Sequence, residues 1–314
     1  MAAQSEIASR IRSKALELGF SACGFSPVSP LEELQPFFDD WLSEGYAGEM
    51  EYLNRNRDLR HDPGLLVPNS RTIISLAAGY YYPDKGSQVP VSRYARATDY
   101  HKVLKKLGKE LLEWINAEIA PAEGRVFCDS APLFEKEWAR RSGLGWIGKN
   151  GLLLIPGKGS WFFLCEIITS LEIKEQAAPV PNHCGSCSRC MDSCPTGAIF
   201  EPGRIDPRAC VSYLTIEKKS EIPDSYKGKW DQTVYGCDIC QSVCPWNQEP
   251  IPTEIPSFVP DQKVLELTLE QIPRLTPEAF GELFDRTPVN RIGLSGILRN
   301  LAFLTKQGLS RNGS

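Results

Sequence analysis

Nowhere in its 314 residues does the chain hold 18 consecutive apolar positions, so no segment is expected to span a membrane. The opening residues, MAAQSEIASRIRSK, lack an apolar h-region, a twin arginine and a small-residue cleavage pattern, and the expected compartment is the reducing cytoplasm. Excess positive charge is missing too. A net charge of −4 excludes a uniformly basic nucleic-acid coat but leaves room for local basic patches. No G-x-G-x-x-G follows a strand, so there is no dinucleotide fingerprint. The run Gly143 to Asn150 (GLGWIGKN) comes close to a phosphate loop. However, Asn150 stands where Ser or Thr should hold magnesium, and a helix precedes the run where a strand is needed. Nucleoside triphosphate binding is therefore excluded.

Cysteine is what the chain has in excess: 11 in all, eight of them between Cys184 and Cys244. That is too sparse overall for a disulfide scaffold, and such local crowding reads as metal ligation. Cys184, Cys187, Cys190 and Cys194, followed by Pro195, form the C-x2-C-x2-C-x3-C-P run of bacterial ferredoxins. Three thiolates two residues apart can wrap one iron–sulfur cube, while the longer step turns the fourth toward a second cube. Cys237, Cys240, Cys244 and Pro245 repeat the end of that run, with Cys210 as the displaced first member. Crosswise assignment gives Cys184, Cys187, Cys190 and Cys244 to one 4Fe–4S cluster and Cys194, Cys210, Cys237 and Cys240 to the other. A pair of zinc sites is the alternative, but zinc favours paired C-x2-C knuckles. Cys23, Cys128 and Cys165 sit in apolar contexts and read as core thiols.

Periodicity organises the rest. Helices are predicted at 5–18, Leu31 to Ser43, Tyr100 to Ile119 and Pro132 to Arg141. Strands are predicted at Ala22 to Phe25, Thr72 to Tyr82, Val126 to Cys128, Gly151 to Ile155 and Trp161 to Thr169. This alternation indicates an α/β layered domain over residues 1–175. The linker-like QAAPVPNH (Gln176 to His183) leads into a two-cluster ferredoxin-like α+β domain, residues 176–252. A short helical C-terminal extension, residues 253–314, carries five Arg or Lys and no Asp or Glu from Arg286 onward.

A two-cluster module fused to a larger domain needs an electron acceptor there. Asp99-Tyr-His101 begins the D-x-H-x-x-G signature in which histidine ligates cobalamin's cobalt, but Leu104 stands in place of the glycine, so that ligation is not indicated. Further segments occur in order: MEYLNRNRDLRHDP, SRYARATDYHKVLKK, DSAPLFEKEWARRSGLGWIGKN, GSWFFLCEI, the ferredoxin run with PTGAI, ACVSYLTIE and YGCDICQSVCPWN. Together, over about residues 1–300, they resemble the epoxyqueuosine reductases, cobalamin-dependent two-cluster enzymes of tRNA modification.

The resemblance implies a cobalamin-binding first domain and reduction of epoxyqueuosine to queuosine at the tRNA wobble position. It also implies an external low-potential donor of ferredoxin or flavodoxin type, and a monomer is expected. Asp129 matches the family's proton donor, and burial is expected to raise its pKa toward neutrality. An N-cap role for Asp129, ahead of Pro132, is the alternative. Cobalamin contacts are implied for Arg55, Tyr94, Asp129, Trp146, Lys149, Asn150, Leu153, Ser212, Cys237 and Asp238. Substrate contacts are implied for Lys136, Tyr100 and His101, although Lys136 also reads as a solvated helix lysine. Arg93, Arg96, Lys102, Lys105, Lys106 and Lys109 could meet anticodon-stem phosphates, with Tyr94 and Tyr100 for stacking, or could form a solvated helix face. Longer members of the family append helical repeats that help hold tRNA. A reductive dehalogenase-like enzyme and a ferredoxin-type electron carrier are the competing readings.

Overall fold

The computed structural model describes residues 2–84, 88–175 and 177–305. Gln176 of the linker-like stretch, and Lys306 and Arg311 of the basic C-terminal stretch, lie outside the described residues. The first part runs α1 (Ala2–Glu17), β1 (Ala22–Pro27), α2 (Gln35–Ser43), α3 (Arg57–His61), β2 (Thr72–Gly79), α4 (Tyr100–Glu118), β3 (Gly124–Phe127) and α5 (Glu135–Arg141). It closes with β4 (Trp146–Ile147), β5 (Leu153–Leu154) and β6 (Phe162–Thr169). Four strands form one sheet in the order β1-β2-β6-β3, and every pairing is antiparallel.

Both faces of that sheet are covered, which is why β2 is buried at every position. Ile74, Leu76 and Ala78 of β2 join Cys165 and Ile167 of β6 in a core shared with Ala8, Ile11 and Ala15 of α1 and Leu104, Leu111 and Ile115 of α4. Ile73 and Ile168 face the other way, onto Trp138 of α5. The layering thus alternates along each strand with period two. Gly108 lets α4 close on β3: a Cβ there would stand 2.6 Å from Val126 Cγ1. That approach brings the N-terminus of α4 alongside the end of β3.

Some boundaries differ from expectation. The Thr72 strand ends at Gly79 because the following tyrosines leave the sheet; Tyr81 accepts from Thr253 instead. The helix expected from Pro132 starts at Glu135, after a turn in which Asp129 takes φ +57°. Phe134, not Asp129, occupies its N-cap position, so the capping role is not filled by Asp129. The strand expected over Gly151 to Ile155 shrinks to the two-residue β5, paired with β4.

The cysteine segment holds α6 (Arg189–Asp192), β7 (Ile199–Glu201), β8 (Arg204–Ile205), α7 (Val211–Ile216) and α8 (Ile239–Ser242). α9 (Gln262–Leu265), α10 (Pro277–Phe284) and α11 (Gly293–Thr305) follow. These last helices share one core with the cysteine segment. Phe280, Phe284, Ile297, Leu301 and Leu304 pack with Val211, Leu214, Trp230 and Tyr235, and also with Val89, Val91 and Ala95. Val91 bridges to Tyr235. Among the described residues no helix is long and apolar enough to cross a membrane.

Asn300 joins α11 to this core. Fully buried, its amide donates to the carbonyls of Thr215 at 2.8 Å and Val234 at 2.7 Å. Asn300→Ala strands two buried acceptors and should lower stability by about 2 kcal/mol in denaturant unfolding. An unchanged midpoint would contradict this role.

Candidate active site

Two cavities meet at one wall. The inner one, of about 440 Å³, lies between the sheet and the cysteine segment, lined by Tyr80, Tyr94, Tyr100, Asn150, Ser212 and Gln241 and by the thiols of Cys194, Cys210, Cys237 and Cys240. The outer one, of about 750 Å³, is lined by Phe37, Phe38, Tyr52, Arg55, Arg60, His101 and Arg291. Asp129, Glu135 and Lys136 line both.

The thiols fall into two neighbourhoods. Burial raises the Cys237 thiol to about 12, with Cys210 and Cys194 among the neighbours that add to the rise. Burial likewise raises Cys240, whose thiol neighbours are Cys237, Cys210 and Cys194 together with Cys190 of the other group. Cys190 and Cys244 are raised by burial as well, and the thiols beside them are Cys184 and Cys187. Cys190 and Cys244 also face each other. A soft all-thiol donor set that resists ionisation by itself needs a bound cation to ionise it. Lys149 clasps the first cysteine loop, donating to Gly185 O at 2.7 Å and Cys187 O at 2.9 Å.

Asp129 is held by three residues from two helices. Tyr100 Oη donates to its Oδ2 at 2.6 Å, and His101 Nε2 lies 3.1 Å from the same oxygen. Glu135 Oε1 accepts its backbone N–H. His101 is itself oriented by Asp99, whose Oδ1 lies 2.7 Å from Nδ1 and also accepts the His101 backbone N–H at the start of α4. Tyr100 is fixed by stacking on Phe163, with ring centroids 4.2 Å apart.

These partners reverse one expectation. Burial pushes the Asp129 carboxyl up, but the hydrogen bonds from His101 and Tyr100 outweigh it, and the pKa falls below the usual aspartate value. The hydrogen bonds to Asp129 and Asp99 raise His101 to about 9 against the cost of burial. At neutral pH the proton of this pair rides on the imidazole.

The remaining expected residues divide. Tyr94, Asn150, Ser212 and Cys237 line the inner cavity. Arg55 lines the outer cavity, not the inner. Trp146 is buried against His183 and Trp246, beside Cys184 and Cys244 in sequence. Leu153 packs in a core with Ala139 and Leu144, and its neighbour Leu152 reaches the cavity. Asp238 accepts from Ser92 Oγ and from Arg93 N at 2.8 Å, tying the segments together. Lys136 is exposed, and its Nζ donates to Gly151 O at 2.7 Å.

Two basic residues are corrected. Arg96 is buried, pairing with Asp84 and the carbonyl of Val91, and Arg93 also pairs with Asp84. Neither is presented to a phosphate. Tyr94 and Tyr100 line the inner cavity. Lys102, Lys106 and Lys109 are exposed, and Lys105 donates to Ser130. Sequence reasoning missed Glu135, Glu166 and Arg291. The signal for Glu166 was available: a lone carboxylate in the apolar strand FFLCEIIT.

The chain was compared with known proteins. Residues 183–247 match the 4Fe-4S double cluster binding domain, and residues 60–130 match the family described as Epoxyqueuosine reductase QueG, DUF1730. An epoxyqueuosine reductase from Cellulophaga algicola is 42% identical over 296 residues, covering 94% of this chain and 96% of its own. A crystal structure of epoxyqueuosine reductase with an epoxyqueuosine-modified tRNA stem loop superposes with a TM-score of 0.88 at 27% identity, over 97% of this chain and 82% of that one. A Bacillus subtilis epoxyqueuosine reductase, with its catalytic aspartate loop swung out of the active site, matches with the same score and coverage.

The raised His101 value sets a pH test. Its stabilising contribution is complete below about 6.5 and is lost as pH rises through about 9. In an NMR titration the imidazole should titrate near the upper value, and Asp129→Asn should bring it down toward the lower one. An ordinary midpoint in the parent protein would contradict the pairing.

Proposed function

The chain belongs to the epoxyqueuosine reductase family, and we propose that its adjoining cavities divide the work: the inner one holds cobalamin, and the outer one receives the modified nucleoside. The protein is an oxidoreductase that reduces epoxyqueuosine to queuosine in tRNA, with cobalamin and two 4Fe–4S clusters as cofactors. When bound there, cobalamin and the clusters would supply the two low-potential electrons that the reduction consumes. The observation that carries the assignment of the cavities is Asp129, which lines both and is the only aspartate in either lining.

The donor set of the cysteine segment suits the clusters. Among the described residues no three His, Cys, Asp or Glu groups converge on a space of single-ion size, whereas a cube spreads its four thiolates over separate corners. Cys194, Cys210, Cys237 and Cys240 would hold the cluster beside the inner cavity, and Cys184, Cys187, Cys190 and Cys244 the cluster farther out. Tyr94, Asn150 and Ser212 would meet cobalamin's polar edge, Asn150 being tethered to Cys240 O at 3.4 Å. Trp146, Lys149, Leu153 and Asp238 would act on that site indirectly, by fixing the loops around it.

On the substrate side the chain's own groups supply orientation and protons. Phe37 and Tyr52 are half exposed on or beside the outer cavity and offer faces for a base to stack on. Arg55 and Arg291 would meet phosphate or ribose, and Lys136 sits at the wall. Asp129 Oδ2 is occupied by Tyr100 and His101, while Oδ1 takes no hydrogen bond among the described residues. The proton stored on His101 would pass through the carboxylate to the epoxide oxygen, with Asp99 holding the imidazole in place. A low carboxylate pKa is no obstacle when the neighbouring imidazolium carries the proton. Exposed Lys102, Lys106 and Lys109 would add phosphate contacts along α4. An external donor of ferredoxin or flavodoxin type, a monomeric state and a cytoplasmic setting complete the proposal. The dehalogenase-like and electron-carrier readings are not favoured, since relatives matched over nearly the whole chain are epoxyqueuosine reductases.

Reconstituted protein, cobalamin and a strong reductant should convert epoxyqueuosine in tRNA to queuosine, read by mass spectrometry. Asp129→Asn should keep cobalamin and both clusters yet lose about a hundredfold or more in turnover. Wild-type turnover in that variant would overturn the role of Asp129. Cys194→Ala should lose about half of the bound iron, and full iron content would remove it from the ligand set.

A further inference from the structure

Deoxygenating an epoxide to an alkene breaks two C–O bonds, forms one C=C bond and releases the oxygen as water. It consumes two electrons and two protons. The His101–Asp129 pair accounts for one proton. Directly behind it lies a second pair of acids.

Glu166 is the sole charged residue of β6, wholly buried, and in register with Ser75 of β2 and Phe127 of β3. No N–H or O–H of another described residue reaches either of its carboxyl oxygens. The carboxyl of Glu135, at the start of α5, is its acidic neighbour, and each acts on the other's charge. Two buried carboxylates beside each other cannot both stay ionised, so the pair holds a proton. The charged and titratable groups facing the pair do not remove the need for it. Asp129 and His101 face Glu135, Cys128 and Cys165 are neutral thiols, and Arg60 lies across the outer cavity. Lys136 directs its ammonium to Gly151 O, and Lys105, which faces Cys165, donates to Ser130.

Glu135 is also on the shared wall of both cavities, and its Oε1 accepts the Asp129 backbone N–H. We propose that Glu135 is the second proton donor of the reaction, giving its proton to the departing oxygen, and that Glu166, the more deeply buried acid behind it, is a positioning residue that resupplies that proton. The electrons are those the established activity already delivers. This inference rests on the epoxide-reduction reading.

Burial, then the Asp129 charge, raises the Glu135 carboxyl well above the usual glutamate range, toward holding its proton at neutral pH. Glu135→Gln preserves volume and the acceptor for Asp129 N–H but carries no acidic proton. In the holoenzyme with an epoxyqueuosine stem loop it should lower kcat about a hundredfold with little change in KM. Glu166→Gln keeps the volume and a donor toward Glu135 but holds no acidic proton to resupply it, and should lower kcat with little change in KM. Infrared difference spectra of the holoenzyme at neutral pH should show a protonated-carboxyl band that either substitution diminishes. Wild-type kcat and pH profile in Glu135→Gln, or absence of that band, would overturn the proposal, and Glu135→Gln decides it alone if Glu166→Gln does not fold. A parent enzyme that forms no queuosine would instead refute the functional reading.

Discussion

Asp129 keeps a left-handed backbone, φ +57°, at a cost of about 1–3 kcal/mol for a residue other than glycine. Three residues from two helices hold it there: Tyr100 and His101 from the start of α4, and Glu135 from the start of α5. The rest of the site depends on this grip. It turns the carboxylate away from the helix it would otherwise cap and puts it into the wall between two cavities. It also explains the electrostatics: the donors that fix the carboxylate are those that lower its pKa and move the proton to His101.

The sheet makes the grip possible. Because α4 closes on β3 at Gly108 and α5 packs on the opposite face, the N-terminal ends of two helices from different layers converge at the end of one strand. The cysteine segment then closes the inner cavity from the far side, tied down by Asp238 to Ser92 and Arg93 and by Asn150 to Cys240. The C-terminal helices belong to this closure. Their core is continuous with that of α7 and of residues 89–95, and Arg291, held by Glu217 at 2.8 Å, carries their contribution to the rim of the outer cavity.

Much of this was legible in the chain, for physical reasons. Thiol spacing is a local property, so the ferredoxin run could be read directly, and the long amphipathic α4 follows from its period of apolar residues. The layered arrangement was legible but strand direction was not, since an antiparallel sheet buried on both faces reads like a parallel one. Asp129 could be placed only by resemblance. Its partner His101 lies 28 residues away, and nothing in local pattern links them. For the same reason Arg93 and Arg96 looked available to phosphates, because a buried ion pair with Asp84 leaves no periodic trace. Glu166 is different in kind. A carboxylate in an apolar strand violates the expected pattern, and such violations mark strained or functional positions.

The central claim is spatial: cofactor within the thiol-lined cavity, nucleoside in the outer one, and Asp129 between them. Its most direct test is a crystal structure of the cobalamin-loaded protein with an epoxyqueuosine stem loop, with cobalt located by its anomalous signal. Cobalt in the inner cavity, with the modified base beside Phe37 and Tyr52 and its epoxide toward Asp129, is the predicted result. Cobalt in the outer cavity, or a base bound away from Asp129, would contradict the account.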